Sequence, residues 1–173
     1  FTTSALSFML RGLGKPVVFT GAQLPISEPR SDARENLITA LAIASAKQGG
    51  TPIVPEVCIY FDDELLRGCR AKKVESMHFD AFESENYPPL AKAGVKIDYD
   101  LAAIRKAPSG GTLSLLKKFD TQVALLKLFP GIDSNTVKSV TNIPGLKGLI
   151  LETYGSGNAP TSMWFTELIK SAI

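Results

Sequence analysis

Four basic side chains, Arg67, Arg70, Lys72 and Lys73, fall within seven residues. They follow an apolar run, Val57-Cys58-Ile59-Tyr60-Phe61, that stops at Asp62 and Asp63. This order reads as a buried strand feeding an irregular, charged loop. In α/β proteins, sites are built at that edge. Crowding by like charges lowers a lysine's pKa and frees its amine to act as a base. Solvated surface charge accounts for the same cluster without any chemistry.

Two further stretches bear on chemistry. Pro16-Val17-Val18-Phe19-Thr20 runs out into Gly21-Ala22-Gln23-Leu24-Pro25. A Gly beside small residues lets a ligand approach the backbone, although a plain strand-to-loop turn fits as well. Gly155-Ser156-Gly157-Asn158-Ala159-Pro160 opens a helix after a strand, and its N–H groups suit a carboxylate or phosphate. As a dinucleotide signal this Gly-x-Gly is weak, since the third Gly and the βαβ start are absent. Ser156 has no His in a plausible partner segment, His78 being the only one. Among Asp62, Asp63, Glu64, Glu83 and Glu85, spacing selects no acid/base pair. Cys58 reads as a small buried hydrophobe and Cys69 as a more reactive thiol. With one His, two Cys make neither a disulfide framework nor a metal set. The strongest chemical candidate is a lysine base, and residues 1–173 offer it no obvious nucleophile.

Composition narrows the class. Nineteen Lys and Arg against 17 Asp and Glu leave +2, too little to imply nucleic acid. Hydrophobic content of 45% supports a packed core. No apolar run reaches transmembrane length and no signal segment opens the chain, so no membrane association and a reducing cytoplasmic setting are expected. Phe1 is not an initiator Met, and the chain reads as a piece of something longer.

The elements that must position these residues alternate. A helix is predicted over 3–13, with Leu6, Met9, Leu10 and Leu13 at helical spacing. Residues 16–21 predict a parallel strand buried on both faces. Asp32 and Glu35 form a capping box for a helix carrying Leu37, Ile38, Leu41 and Ile43 on its apolar side. Residues 56–61 are the next strand, and 95–99 alternate as an edge strand. After a Gly-containing linker, strands are predicted over 122–129 and 146–153. Ser134 caps the helix between them, and Pro160 starts a last helix.

Several of these stretches, in this order, resemble one family. Val17-Val18-Phe19-Thr20-Gly21-Ala22-Gln23-Leu24-Pro25, then Arg30-Ser31-Asp32 and Glu35-Asn36-Leu37, look like the central part of bacterial-type L-asparaginases. Arg67-Gly68-x-Arg70-x-x-Lys73, Phe79-Asp80-Ala81-Phe82 and Asn86-x-Pro88-Pro89-Leu90 are similar to their cytosolic type I branch. Pro130-Gly131-Ile132 and Tyr154-Gly155-Ser156-Gly157-Asn158-Ala159-Pro160 continue the match.

The resemblance implies an α/β fold in two parts, both incomplete: a larger N-terminal domain with a mostly parallel sheet, and a smaller flavodoxin-like C-terminal domain. Residues 1–107 would belong to the first, 108–118 to a linker and 119–173 to the start of the second. It implies hydrolysis of asparagine to aspartate and ammonia through a threonine acyl-enzyme, with Lys73 as general base. It places the Ala22 carbonyl and Gln23 beside the substrate, and Asn158 in a loop that approaches a neighbouring subunit's site. It implies no metal, no cofactor and a homo-oligomer, dimer or tetramer. The family's Thr-Gly-Gly-Thr and Gly-Thr-Asp-Thr stretches, which carry the nucleophiles and the Asp partner of the lysine, are absent from these residues. Second-site regulation does not carry over, because Lys72 and Glu152 are not the residue types expected there. The alternatives are an asparaginase-like subunit of a tRNA-dependent amidotransferase, with tRNA and a partner subunit, and a non-catalytic binding protein of the same fold.

Overall fold

The computed structural model describes residues 1–74, 81–108, 110 and 112–172, which divide into two units, Phe1–Lys117 and Lys118–Ile173. The first runs α1 (Thr2–Met9), β1 (Leu10–Arg11), β2 (Val17–Phe19), α2 (Ala33–Ser45), β3 (Lys47–Gln48), β4 (Thr51–Pro52) and β5 (Val57–Phe61). It continues through β6 (Glu64–Arg67), β7 (Lys72–Lys73), β8 (Phe82–Glu83), β9 (Ala91–Ala93), β10 (Ile97–Tyr99) and β11 (Ser114–Leu115). The second holds β12 (Val123–Lys127), α3 (Ser134–Thr141), β13 (Gly148–Glu152) and α4 (Met163–Ser171).

The α/β class holds. In the first unit a five-stranded sheet has the order β10-β9-β6-β5-β2. β2 and β5 are parallel, as a crossover through α2 requires. The other three pairings are antiparallel. A sheet expected to be mostly parallel is thus mixed over the described residues, and the cause is local. Asp62 and Asp63 both take positive φ, 46° and 59°. That is the two-residue turn whose twist suits a hairpin. What reads in sequence as an irregular charged loop is a strand returning along β5, with Cys58 opposite Arg67.

β5 is buried along its length, whereas β2, at the end of the strand order, is only half-buried. α2 turns Asn36, Ala40 and Ile43 inward. Leu37, Ile38 and Leu41, predicted as its apolar side, are exposed. α1 stops at Met9, because Leu10–Arg11 pairs with β11 inside the stretch read as a linker. Gly12 follows at φ 71°, where a Cβ would meet the Thr112 carbonyl oxygen at 2.7 Å. The predicted edge strand is β10, which lies at the sheet's other end.

In the second unit β12 and β13 are parallel. Leu126, Leu128 and Val137 pack there with Phe165, against which Trp164, Leu168 and Ile169 are half-buried. The cap of α3 is Asp133, not Ser134: its carboxylate accepts the Thr136 N–H at 2.7 Å. α4 begins at Met163 after Ser162, so Pro160 lies ahead of the helix rather than in its first turn.

Candidate functional site

The loop leaving β2 is built by α2. Thr20 Oγ1 donates to the Tyr60 carbonyl at 3.0 Å, which holds the strand end beside β5. Ala22 is exposed and Gln23 half-buried. The Asp32 carboxylate accepts the Gln23 N–H at 3.0 Å on both oxygens and the Leu24 N–H at 3.2 Å. Asn36 Nδ2 donates to Asp32 at 3.0 Å and to the Gly21 carbonyl at 2.9 Å. The predicted capping box does not form, since the Asp32 side chain accepts no backbone N–H of its own helix. Charge-assisted bonds to two loop amides take its oxygens instead. Asp32 and Asn36 are therefore site residues that the sequence reading passed over. Their signal was present: residues four apart share one face of a helix.

Beside this loop, Thr20, Gly21, Phe19, Ile59, Phe61 and Phe82 line a cavity of about 240 Å³. The Phe61 and Phe82 rings meet edge to face at 5.3 Å. Phe82 belongs to the β7–β8 ladder, where Lys73 stands opposite Phe82 and Lys72 opposite Glu83. Residues opposite one another across antiparallel strands project to one face, and successive residues project to opposite faces. Lys73 therefore shares the face of Phe82, and Lys72 shares the face of Glu83. Both lysines are exposed.

The fold withdraws Arg67 from the four-cation cluster. Arg67 is buried, not solvated. Its Nε and Nη2 donate to Glu56 at 2.6 and 3.0 Å, and Nη2 also donates to the Ala103 carbonyl at 2.8 Å. The guanidinium lies 4.1 Å from the centre of the Tyr87 ring. Burial works against this charge, but the hydrogen bonds and charge of Glu56, with Tyr87, outweigh it and hold the guanidinium above its usual range. Glu56 also accepts the Arg105 N–H at 2.7 Å. Crowding of four like charges around Lys73 is thus not what the chain builds.

Cys58 is fully buried. Burial first, and then the charge of Glu56, push its thiol up to about 12. Cys69 is half-buried and lines a separate cavity of about 180 Å³ with Arg11, Glu56, Arg67 and Arg105. Among the acids weighed for catalysis, Asp62 and Asp63 form the hairpin turn and Glu64 pairs with Lys92 at 2.8 Å. His78 and the Phe79-Asp80 part of the motif lie outside the described residues.

Asn158, in the second unit, is exposed, and its Nδ2 donates to Ser156 Oγ at 3.1 Å. The Tyr154 N–H donates to the Asn158 carbonyl, and the Gly157 N–H to the Tyr154 carbonyl. The loop closes on itself, and the helix starts only at Met163. Residues 155–160 are therefore not the helix N-terminus expected for an anion. Among the described residues no three His, Cys, Asp or Glu gather to hold a metal, and no helix is long and apolar enough to cross a membrane.

Residues 1–105 match the family model described as "Asparaginase, N-terminal", and residues 122–173 match "Glutaminase/Asparaginase C-terminal domain". The chain is 45% identical over 161 residues to a 60 kDa lysophospholipase of Mus musculus, covering 93% of this chain and 28% of that protein. It is 40% identical over 173 residues to L-asparaginase 1 of Escherichia coli K12, covering 99% and 49%. It matches the crystal structure of L-asparaginase I from Vibrio cholerae with a TM-score of 0.81 at 34% identity, covering 99% of this chain and 50% of that one. The chain thus spans about half or less of the length of these relatives.

Proposed function

The chain belongs to the asparaginase family, and from that premise we propose that it is the central part of an L-asparaginase. The whole protein would hydrolyse L-asparagine to L-aspartate and ammonia through a threonine acyl-enzyme. In this reading Lys73 takes the proton from a threonine hydroxyl as the oxygen attacks the substrate's side-chain carbonyl carbon. The same proton passes to the amide nitrogen as the C–N bond breaks, so ammonia leaves, and water then cleaves the ester to release aspartate and restore the threonine hydroxyl. The threonines, and the aspartate that orients the lysine, are supplied by Thr-Gly-Gly-Thr and Gly-Thr-Asp-Thr segments of the whole protein. Ala22 and Gln23 bind substrate, and Asn158 contributes from a neighbouring subunit of a homotetramer. The setting proposed is the cytoplasm.

The observation that carries this reading is the pairing of Lys73 with Phe82. It turns Lys73, rather than Lys72, to the ladder face of a residue that lines the same cavity as Gly21. Of two adjacent lysines, the one at the family's motif position is the one on that face. The test is ammonia release by the full-length protein from L-asparagine and L-glutamine, with fatty-acid release from a lysophospholipid alongside. Faster turnover of asparagine supports the reading. Glutamine as the better substrate, or lysophospholipid as the only one, contradicts it.

A further inference from the structure

Resting on the asparaginase reading, we propose that Asp32 and Asn36 are positioning residues. They aim the Ala22 carbonyl at the substrate's carboxamide nitrogen and so let the site tell the amide from the carboxylate product. A peptide unit is planar and trans, so its C=O and N–H point in opposite directions. The Ala22–Gln23 unit has its N–H held by both Asp32 oxygens at 3.0 Å. Its carbonyl is therefore directed away from Asp32, and among the described residues no group donates to it. The preceding unit is held at its oxygen, which accepts from Asn36 Nδ2 at 2.9 Å. Two consecutive peptide planes are thus clamped from one helix face, and the clamp is joined to itself by the Asn36–Asp32 bond.

The clamp is rigid where it is anchored. Asn36 is 5% exposed, and it lies on the stripe of α2 that carries Ala40 and Ile43 into the core. Its electrostatics also act in one direction. A carboxylate accepting from an N–H polarises the whole peptide and makes its oxygen a stronger acceptor. Such an oxygen attracts the donor –NH₂ of a carboxamide. It repels a carboxylate oxygen in the same place, so substrate is held and product is loosened.

The experiment compares the full-length protein with its Asp32→Asn variant, measuring kcat/KM for L-asparagine and the inhibition constant of L-aspartate. The variant keeps the side chain's shape and removes its charge. Loss of one directed hydrogen bond lowers kcat/KM for asparagine about tenfold. Inhibition by aspartate stays the same or becomes stronger. Equal weakening toward both ligands, or no loss toward asparagine, overturns the proposal. A wild-type protein that does not hydrolyse asparagine overturns the asparaginase reading instead. If Asp32→Asn does not fold, Asn36→Ala tests the other half of the clamp: it removes the bonds to the Gly21 carbonyl and to Asp32, and the same selective loss toward asparagine is expected.

Discussion

Lys72 and Lys73 are neighbours in sequence and opposites in the fold, and the same residue-scale logic separates Arg67 from both. Arg67 and Glu56 are 7% and 6% exposed. Removing one partner of such a pair leaves the other charge buried and alone. Arg67→Met is expected to cost about 3–5 kcal/mol, and the double variant Glu56→Leu/Arg67→Met less than the sum of the singles. Urea-unfolding midpoints of the four proteins check this. Nothing in the sequence announces the pair, because its bonds span 11 positions, Arg67's further bond to the Ala103 carbonyl spans 36, and no local pattern reaches so far. Cys58 was legible as a buried hydrophobe from the apolar run around it. Its native thiol titrates at about 12, whereas an unfolded thiol titrates at about 8.5. The folded state therefore binds the proton more tightly. The resulting stability is fully present below about pH 8.5 and is lost as pH rises toward 12. Between pH 8 and 10.5, the unfolding midpoint should fall more steeply for the wild type than for Cys58→Ala.

At the scale of elements, apolar runs bounded by Pro, Gly or Asp located β2, β5, β12 and β13, because burial and turn chemistry are both local signals. What failed was the reading of helix faces and ends. The leucines of α2 overstate its inward face, since Asn36 takes a buried position to bind the β2 loop. α1 loses its last turn to a pairing with residues 114 and 115, which no window of the sequence shows. The candidate site was half legible. Gly21-Ala22-Gln23 could be placed at a strand end, but the carboxylate that holds it looked like a helix cap. The packing of α1 gives a test of its own. A Cβ on Gly68 would lie 2.8 Å from the Val57 carbonyl oxygen, 3.1 Å from Ser7 Oγ and 3.2 Å from Thr3 Cβ. Val57 is in β5 and cannot yield as a side chain does. Gly68→Ala is expected to cost about 1–3 kcal/mol by forcing α1 off the sheet, measured as a lowered thermal midpoint.

At the scale of the whole molecule, the chain carries one proposed catalytic residue, Lys73 in the first unit, and one proposed substrate-binding residue, Asn158 in the second. If Asn158 acts in a neighbouring subunit's site, two inactive proteins should complement. The Lys73→Met and Asn158→Ala proteins, unfolded together and refolded as hybrids, should regain about a quarter of wild-type activity, because a two-fold interface would then form some sites with neither substitution. No regain would contradict a contribution of Asn158 across subunits. The central claim concerns Lys73 itself. Its most direct measurement is ammonia release from L-asparagine by the full-length protein carrying Lys73→Met, with Lys72→Met as the matched control. The account predicts a loss of about 10²–10⁴-fold in kcat for Lys73→Met and a nearly unchanged rate for Lys72→Met. An unchanged rate in Lys73→Met, or an equal loss in both variants, would contradict it.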